Sequence, residues 1–250
     1  LRRKKEDVLK DLPAKYEVII TTEMSVEQRK LYDAFRLKAK EEFKSADGGS
    51  KIMEILSIIT RLRQICVDPS TFVDNFIGES GKITTLKEII REKEKENHRF
   101  LVFSQFVTAL NIVRQELETM GIKYYMITGE TSAKERLKIC NEFNQNEEYK
   151  VVLISLKAGG TGLNLVGADV VVHLDPWWNY SAEMQASDRA HRIGQTRTVE
   201  VIKLIAENSI EERVVNLQNE KKELVDKVIS NDDSSIKSLS IKDLKSILNM

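Results

Sequence analysis

The amino-acid sequence predicts an α/β fold with a central, mostly parallel sheet flanked by helices. Between residues 80 and 205, short apolar runs alternate with stretches of helical periodicity, which is typical of parallel sheets. The apolar runs are continuous, as expected for strands buried on both faces. The runs are FLVFSQF (100–106), YYMITG (124–129), VVLISL (151–156), VVVHLD (170–175) and EVIKLI (200–205). The helical stretches between them cover 82–96, 107–119, 133–145 and 180–193.

The residues before this region have a different pattern. VIITTEM (18–24) predicts one strand, and Ser25 is placed to cap the helix that follows it. IMEILSIITRLRQI (52–65) predicts a second helix, after a break at Gly48 and Gly49. The leading segment is therefore expected to form a strand and a helical protrusion.

After residue 205 the pattern becomes that of a long amphipathic helix over 210–229, followed by a polar break, NDDSS, and a short final helix. No internal repeat interrupts the chain. The sequence predicts three parts, namely a leading segment (1–79), an α/β lobe (80–205) and carboxyl-terminal helices (206–250).

Composition excludes several classes of protein. The 39 Lys and Arg residues balance 39 Asp and Glu residues, which excludes a polybasic mode of binding but not a local basic groove. No run approaches the ~18 apolar residues of a membrane helix. Glu6, Asp7 and Asp11 occupy the place of the apolar part of a secretion signal. Cys66 and Cys140 are expected to be reduced core residues of an intracellular protein. The high Lys, Glu and Ile content is a weak indication of a thermophilic, for example archaeal, source.

Glycines cluster directly after the third predicted strand, in LKAGGTGLNLVG (residues 156–167, the glycine loop). Four of the 11 glycines, Gly159, Gly160, Gly162 and Gly167, fall within nine residues there. Ligands of open parallel sheets bind beyond the carboxyl ends of strands, and glycines let backbone N–H groups approach an anion. A phosphate-binding loop is one interpretation, and a tight turn without a ligand is the other.

A second candidate is QASDRAHRIGQTR. If this stretch is one helix, Gln185, Arg189 and Arg192 share a face, and Gly194 ends the helix as a C-cap. Two guanidinium groups on one face repel each other unless an anion bridges them. The alternative is a solvated arginine face with Asp188 as an ion-pair partner.

GESGKIT (78–84) has a superficial likeness to a nucleotide P-loop. That motif needs four residues between its glycines and Ser or Thr after Lys, whereas two residues separate Gly78 from Gly81 and Ile83 follows Lys82. A helix start with Ser80 as N-cap is therefore predicted instead. No Asp-Glu pair follows a predicted strand, so no magnesium site is predicted in this chain.

Five motifs occur in a characteristic order. They are VFSQF, ITGETSAKER, SLKAGGTGLNL, HLDPWWN and QASDRAHRIGQ. This order resembles the carboxyl-terminal RecA-like lobe of SWI/SNF-family ATPases, helicase-like motors of superfamily two. The flanking LRRKKEDVLKDLPAK, LRQICVDP and SIEERVVNLQNEKKELVDKVI are also similar to that family, so the resemblance covers nearly the whole chain.

The resemblance implies an ATP-driven motor. Arg189 and Arg192 match the family's arginine fingers, which offset charge on the γ-phosphate, and Gln185 would help to align them. ATP with Mg²⁺ would be bound mainly by an amino-terminal RecA-like lobe of the same protein, which would carry the P-loop and the magnesium carboxylates. The positions of the glycine loop that would face the nucleotide are Gly160, Thr161, Gly162 and Asn164.

The resemblance also implies double-stranded DNA as partner, bound without sequence specificity through its phosphates. The positions that would contact DNA are Ser104, Gln105, Thr128, Gly129, Ser155, Lys157 and Gly159. The helix after residue 205 would brace the two lobes or simply pack on its own domain. The protein would be a monomer without a membrane partner, in the cytoplasm or nucleoid of a prokaryote or the nucleus of a eukaryote.

Two other functions remain open from the sequence. The chain could be the matching lobe of an RNA helicase, or a DNA-binding module whose helicase-like features are relics. Trp177 and Trp178 could stack on bases, but their place beside Pro176 favours packing that aims the following helix.

Overall fold

The continuous apolar runs form strands of one parallel sheet. The strands are β1 (Lys15–Thr22), β2 (Phe100–Ser104), β3 (Tyr124–Ile127), β4 (Val151–Ser155), β5 (Val170–His173) and β6 (Val199–Ala206). In the computed structural model, which describes residues 12–44, 51–159 and 162–227, their spatial order is β1-β6-β5-β2-β4-β3 and every neighbouring pair is parallel. Every residue of β2, β4 and β5 is buried, which confirms the prediction of strands covered on both faces.

The strand of the leading segment belongs to the same sheet as the α/β lobe. β1 pairs with β6 along its whole length, from Lys15 beside Val199 to Thr22 beside Ala206. It begins three residues before the predicted run, because the backbone of the polar residues Lys15 to Glu17 is hydrogen-bonded by β6. The leading segment therefore supplies an edge strand and is not only an appendage.

Helices cover both faces of the sheet. They are α1 (Val26–Lys44), α2 (Lys51–Val67), α3 (Gly81–Glu94), α4 (Val107–Thr119), α5 (Ala133–Gln145), the single turn α6 (Leu156–Gly159), α7 (Tyr180–Ser187) and α8 (Ile210–Lys227). A short 3₁₀ turn, Pro69–Thr71, follows α2.

Serine side chains fix the starts of three helices. Ser25 Oγ accepts a hydrogen bond from the Gln28 N–H at 3.2 Å, and Ser80 Oγ accepts one from the Ile83 N–H at 3.3 Å. Ser132 caps α5 in the same way. Each cap satisfies an N–H group that the first helical turn leaves without a partner, and the predicted caps at Ser25 and Ser80 are confirmed.

Buried apolar side chains form three clusters. One lies between the sheet and α3 and α4, and a second between the sheet and α5 and α7. The third joins α1 and α2 to α8, through residues such as Leu62, Ile210 and Leu217. The described part of α8 thus packs on the helices of the leading segment. Cys66 and Cys140 are buried and free, as predicted.

Some predictions lie outside the described residues. These are the break at Gly48 and Gly49, the NDDSS segment and the short final helix. Of the helices that are described, none combines the length and the apolar character that a membrane crossing requires.

Candidate functional site

The carboxyl ends of β3 and β4 carry one group of predicted DNA contacts. Because these strands are parallel neighbours, Thr128 and Gly129 follow β3 at the same edge where Ser155 ends β4 and Lys157 follows it. Gly129 and Lys157 are exposed, and an added Cβ at Gly129 would meet nothing within 4 Å. This edge therefore presents an accessible backbone and a cation.

Two hydrogen-bond arrangements shape this edge. The Arg136 guanidinium donates to the Thr128 carbonyl at 2.9 Å and to the Thr131 carbonyl at 2.8 Å, which fixes the turn after β3. Ser155 is only 3% exposed, and its Oγ makes no hydrogen bond to any residue that the structure describes. A buried hydroxyl without a partner costs about 1–3 kcal/mol, so Ser155 is a donor in need of an acceptor.

The glycine loop makes a tight contact where it leaves the sheet. Gly159 is buried, and a Cβ there would lie 3.2 Å from the Phe103 ring, so the turn packs closely against β2. Gly162 and Asn164 are exposed. Gly160 and Thr161 lie outside the described residues.

The predicted helix over 180–193 is wrong in its second half. α7 ends at Ser187, so Arg189 and Arg192 lie in the irregular segment 188–195, here called the arginine turn, and do not share a helical face with Gln185. After Ser187 the N–H groups of Arg189 and Ala190 bond three residues back, to the carbonyls of Ala186 and Ser187, and the Arg189 carbonyl accepts a hydrogen bond from the Leu165 N–H of the glycine loop at 3.0 Å. This bond replaces the one that a continuing helix would make.

A second set of hydrogen bonds joins the arginine turn to the glycine loop. Gln195 Nε2 donates to the carbonyls of Val166 at 3.1 Å, Ala168 at 2.7 Å and Ala190 at 3.0 Å. Gly194 has φ of +102°, a conformation that favours glycine, although it does not cap α7 as predicted. The turn and the loop therefore form one hydrogen-bonded unit.

The two arginines of this unit have different environments. Arg189 is 4% exposed, and its pKa is lowered first by burial and then by the positive charge of Arg192. Arg192 is half-buried, and its Nε donates to the Asp188 carbonyl at 3.1 Å. Gln185 is exposed near the end of α7. Two neighbouring guanidinium groups form an arrangement that an anion would stabilise.

Ser104 and Gln105 were predicted to contact DNA, but both bond to a carboxylate inside the protein. Ser104 is fully buried and donates through Oγ to Asp175 Oδ1 at 2.5 Å. Gln105 donates through its backbone N–H to Asp175 Oδ1 at 3.2 Å and through Nε2 to Asp175 Oδ2 at 2.8 Å. The prediction of phosphate contacts by these two side chains does not fit the structure, because a buried carboxylate already takes their donors.

Sequence reasoning missed the residue that completes this network. Arg63 of α2 reaches the same carboxylate, with Nη2 3.2 Å from Asp175 Oδ2. The signal was the position of Arg63, which shares an apolar helical stretch with Arg61 but lies between the buried Leu62 and Ile65. A charged residue in such a position is rarely buried without a partner.

The two tryptophans after Pro176 stack on each other, with ring centroids 4.0 Å apart, and both are half-buried. The Trp177 N–H donates to Glu183 Oε1 at 2.6 Å, and Trp178 lies over the Arg63 guanidinium. These contacts support the interpretation that the pair packs against the start of α7.

Lys82 of the P-loop-like stretch lies in the core. Its Nζ is 2.6 Å from Glu211 Oε2 and donates to the Leu174 carbonyl at 2.7 Å, and both charged side chains are fully buried. This confirms the prediction of a helix start rather than a phosphate loop. Within residues 12–44, 51–159 and 162–227, no group of three His, Cys, Asp or Glu side chains could hold a metal ion.

Comparison with known proteins adds independent findings. Residues 81–194 match the helicase conserved C-terminal domain, and residues 1–71 match the SNF2-related domain. An uncharacterized ATP-dependent helicase of Mycoplasma genitalium is 42% identical over 98% of this chain. The chain covers 24% of that helicase, so it spans about a quarter of the length of the curated relatives it matches.

Two solved structures from Sulfolobus solfataricus have the same fold. The SWI2/SNF2 ATPase C-terminal domain is 30% identical with a TM-score of 0.74, and the match covers 93% of this chain and 97% of that domain. The SWI2/SNF2 ATPase core in complex with dsDNA is 34% identical with a TM-score of 0.77, and the match covers 99% of this chain and 53% of that core.

Proposed function

The chain belongs to the SWI/SNF family of helicase-like ATPases, and we propose that it forms the carboxyl-terminal motor lobe of an ATP-dependent double-stranded DNA translocase. The observation that carries this proposal is the hydrogen-bonded unit of arginine turn and glycine loop. Leu165 N–H bonds to the Arg189 carbonyl, and Gln195 bonds to the backbone of both segments. Hydrolysis and movement can be coupled where one rigid unit serves two sites.

On the nucleotide side, Arg192 would act as the principal arginine finger. It is the more exposed of the two guanidinium groups, and Arg189 beside it raises the local positive charge. Gln185 and the glycine-loop residues Gly162 and Asn164 would complete the side of the ATP site that this lobe forms. The charge that develops on the γ-phosphate during transfer would be offset there, which is worth about 10³–10⁵ in rate.

The opposite wall of the ATP site would belong to an amino-terminal lobe of the same protein. The described residues provide cations that fit phosphate oxygens but no carboxylate group that fits Mg²⁺. Mg²⁺, bound with ATP by the other lobe, would supply additional neutralisation of phosphate charge. We therefore expect the 250-residue chain alone not to hydrolyse ATP.

On the DNA side, the contacts would come from the ends of β3 and β4. The exposed backbone at Gly129, the half-buried Thr128 hydroxyl and the exposed Lys157 ammonium suit phosphate oxygens. Contacts by Ser155 and Gly159 stay predictions because both residues are buried, although Ser155 Oγ has no hydrogen-bond partner among the described residues. Such contacts carry no sequence information, so binding would be non-specific and sensitive to salt. The Sulfolobus relative solved with dsDNA supports this class of partner.

The test is Arg192→Ala in the complete two-lobe protein. We expect ATP and DNA to bind normally while DNA-stimulated hydrolysis falls by about 10³-fold or more. Arg192→Lys should remain poor because it loses the planar fork of donors. Arg197→Ala is the matched control, since this half-exposed guanidinium of the same stretch pairs with Asp169 instead.

Four results would contradict the proposal. Normal turnover by Arg192→Ala would exclude the finger, and hydrolysis by the 250-residue chain alone would exclude the shared site. Separation of duplex RNA by the complete protein would favour an RNA helicase. Absence of any ATP hydrolysis by that protein would favour a non-catalytic DNA-binding module.

A further inference from the structure

A fully buried guanidinium holds the segment that leaves β5. Arg63 Nη2 donates to the Pro176 carbonyl at 2.7 Å and lies 3.2 Å from Asp175 Oδ2. Its Nη1 donates to Gln105 Oε1 at 3.1 Å. The side chains of Arg63 and Asp175 are 2% and 0% exposed. The planar fork thus joins α2 to the ends of both β2 and β5.

Aromatic rings enclose the guanidinium on several sides. Its central carbon lies 4.9 Å from the ring centroid of Trp178 and 5.5 Å from those of Trp177 and Phe106. Burial lowers the pKa of Arg63, and the Asp175 carboxylate opposes that shift. Because apolar residues of equal volume often stabilise a core as well as a buried ion pair does, stability alone does not account for this arrangement.

The held segment leads directly into the helix before the arginine turn. Trp177 follows it, and its N–H donates to Glu183 Oε1 inside α7 at 2.6 Å. Glu183 is held in turn by Lys203 of β6 at 3.1 Å. α7 then ends at Ser187, just before the turn that carries Arg189 and Arg192. A displacement of residues 175–176 would therefore be passed to both arginines.

We propose that Arg63 is a positioning residue for ATP hydrolysis. It fixes residues 175–176, which follow β5, so that α7 and the arginine turn stay in the geometry that the reaction needs. This inference rests on the proposed function. Arg63 would act only through residues 175–183, since its Nη1 and Nη2 are bonded inside the protein and its side chain is 2% exposed. Misplacement of a reacting group by about 1 Å can cost 10²-fold in rate.

The chain provides a matched control in Arg99. Its guanidinium is also buried, donates to the carbonyls of Phe143, Tyr149, Asn146 and Gly167, and lies 3.8 Å over the Phe143 ring. Burial lowers its pKa as well. Arg99 directly precedes β2 and so lies at the amino end of that strand, whereas Arg63 bonds to residues that follow the carboxyl ends of β2 and β5. Comparison of the same substitution at Arg63 and Arg99 therefore distinguishes two effects. One is the general effect of losing a buried guanidinium, and the other is the specific effect of losing the contacts that Arg63 makes after β5.

The experiment compares Arg63→Lys and Arg99→Lys in the complete two-lobe protein. Lysine keeps the charge and loses the planar fork. For Arg63→Lys we expect kcat of DNA-stimulated hydrolysis to fall about 10- to 100-fold. KM for ATP and the half-saturating concentration of duplex DNA should stay within about two-fold. Arg99 touches the glycine loop only at its last residue, Gly167, through the longest of its hydrogen bonds, 3.3 Å. For Arg99→Lys all three quantities should therefore stay within about two-fold of wild type, whatever its loss of thermal stability.

Gln105→Asn decides the question if Arg63→Lys does not fold. It removes the acceptor of Arg63 Nη1 at a partly exposed position, and kcat should fall several-fold with KM unchanged. Equal kcat losses in Arg63→Lys and Arg99→Lys, or a change in KM alone, would overturn the inference, as would normal kcat in Gln105→Asn. A wild-type protein without DNA-stimulated hydrolysis would instead overturn the proposed function.

Discussion

Replacement of Lys82 by methionine should lower the free energy of unfolding of this chain by about 3–5 kcal/mol at neutral pH. The Lys82 ammonium lies 2.6 Å from Glu211 Oε2 and 2.7 Å from Glu211 Oε1, and neither side chain is exposed. Methionine matches the length of lysine but leaves a buried carboxylate. The Ala206 N–H, 2.9 Å from Oε2, would remain as a hydrogen-bond donor.

The penalty should depend on pH in a defined direction. Burial raises the pKa of Glu211 in the folded state, and the Lys82 charge opposes this rise. Without Lys82 the protonated carboxyl is favoured more strongly on folding. Stability of the variant should therefore be greatest below the unfolded pKa of about 4.3 and fall, as pH rises towards the folded pKa, by up to about 1.4 kcal/mol per pH unit.

Urea denaturation of wild type and Lys82→Met at pH 5 and pH 8, followed by tryptophan fluorescence, measures this difference. The double variant Lys82→Met with Glu211→Leu removes both charges, and it should recover most of the lost stability or exceed wild type. A penalty below about 1 kcal/mol, or one independent of pH, would refute the assignment of a buried ion pair.

The same variants distinguish a core lysine from a phosphate-binding lysine. In the complete protein, the double variant should bind ATP like wild type, because Lys82 contacts only Glu211 and the Leu174 carbonyl among the described hydrogen bonds. Loss of nucleotide binding in a stably folded double variant would show that GESGKIT acts as a phosphate loop after all.

Two further predictions follow from single residues. Burial, with the Lys203 charge, lowers the pKa of His173 to about 3, so the stability that its neutral ring provides is present above about pH 6.5 and lost as pH falls towards 3. Between pH 6.5 and pH 4, the free energy of unfolding, measured by urea denaturation, should therefore fall by up to about 3 kcal/mol more in wild type than in His173→Gln. An equal fall in the two proteins would contradict this prediction. Lys157→Ala should reduce the slope of log affinity for duplex DNA against log salt by about 1, measured by fluorescence anisotropy. Lys123→Ala, at the opposite end of β3 and paired with Glu148, should leave the slope unchanged.

Local signals were sufficient to predict most of the sheet and its helices. The strands at 100–106 and 151–156 could be predicted without knowing which elements lie beside them, because a strand buried on both faces has a continuous apolar sequence. Ser25 and Ser80 likewise act on N–H groups three residues away. Such signals lie within one element, so the sequence alone reveals them.

Contacts between distant residues were not predictable in the same way. α7 ends at Ser187, and the Arg189 carbonyl beyond it bonds to the distant Leu165 N–H. The helical periodicity of 180–193 gives no sign of that partner. Ser104 and Gln105 looked like exposed polar groups after a strand, yet Asp175, about 70 residues away in sequence, takes their donors. The type of a polar residue at a strand end does not show whether it bonds to a ligand or to a neighbouring residue of the protein.

The exit of β5 shows why the leading segment and the lobe form one working unit. The Leu174 carbonyl is held by Lys82, and Asp175 and the Pro176 carbonyl are held by Arg63, so cations from α3 and α2 fix three successive residues. Apolar contacts are non-directional and would let this segment shift along its neighbours. Hydrogen bonds from charged donors to particular oxygens of the segment fix its position more closely. Because α7 and the arginine turn follow these residues, the geometry of the proposed fingers depends on side chains from before β2.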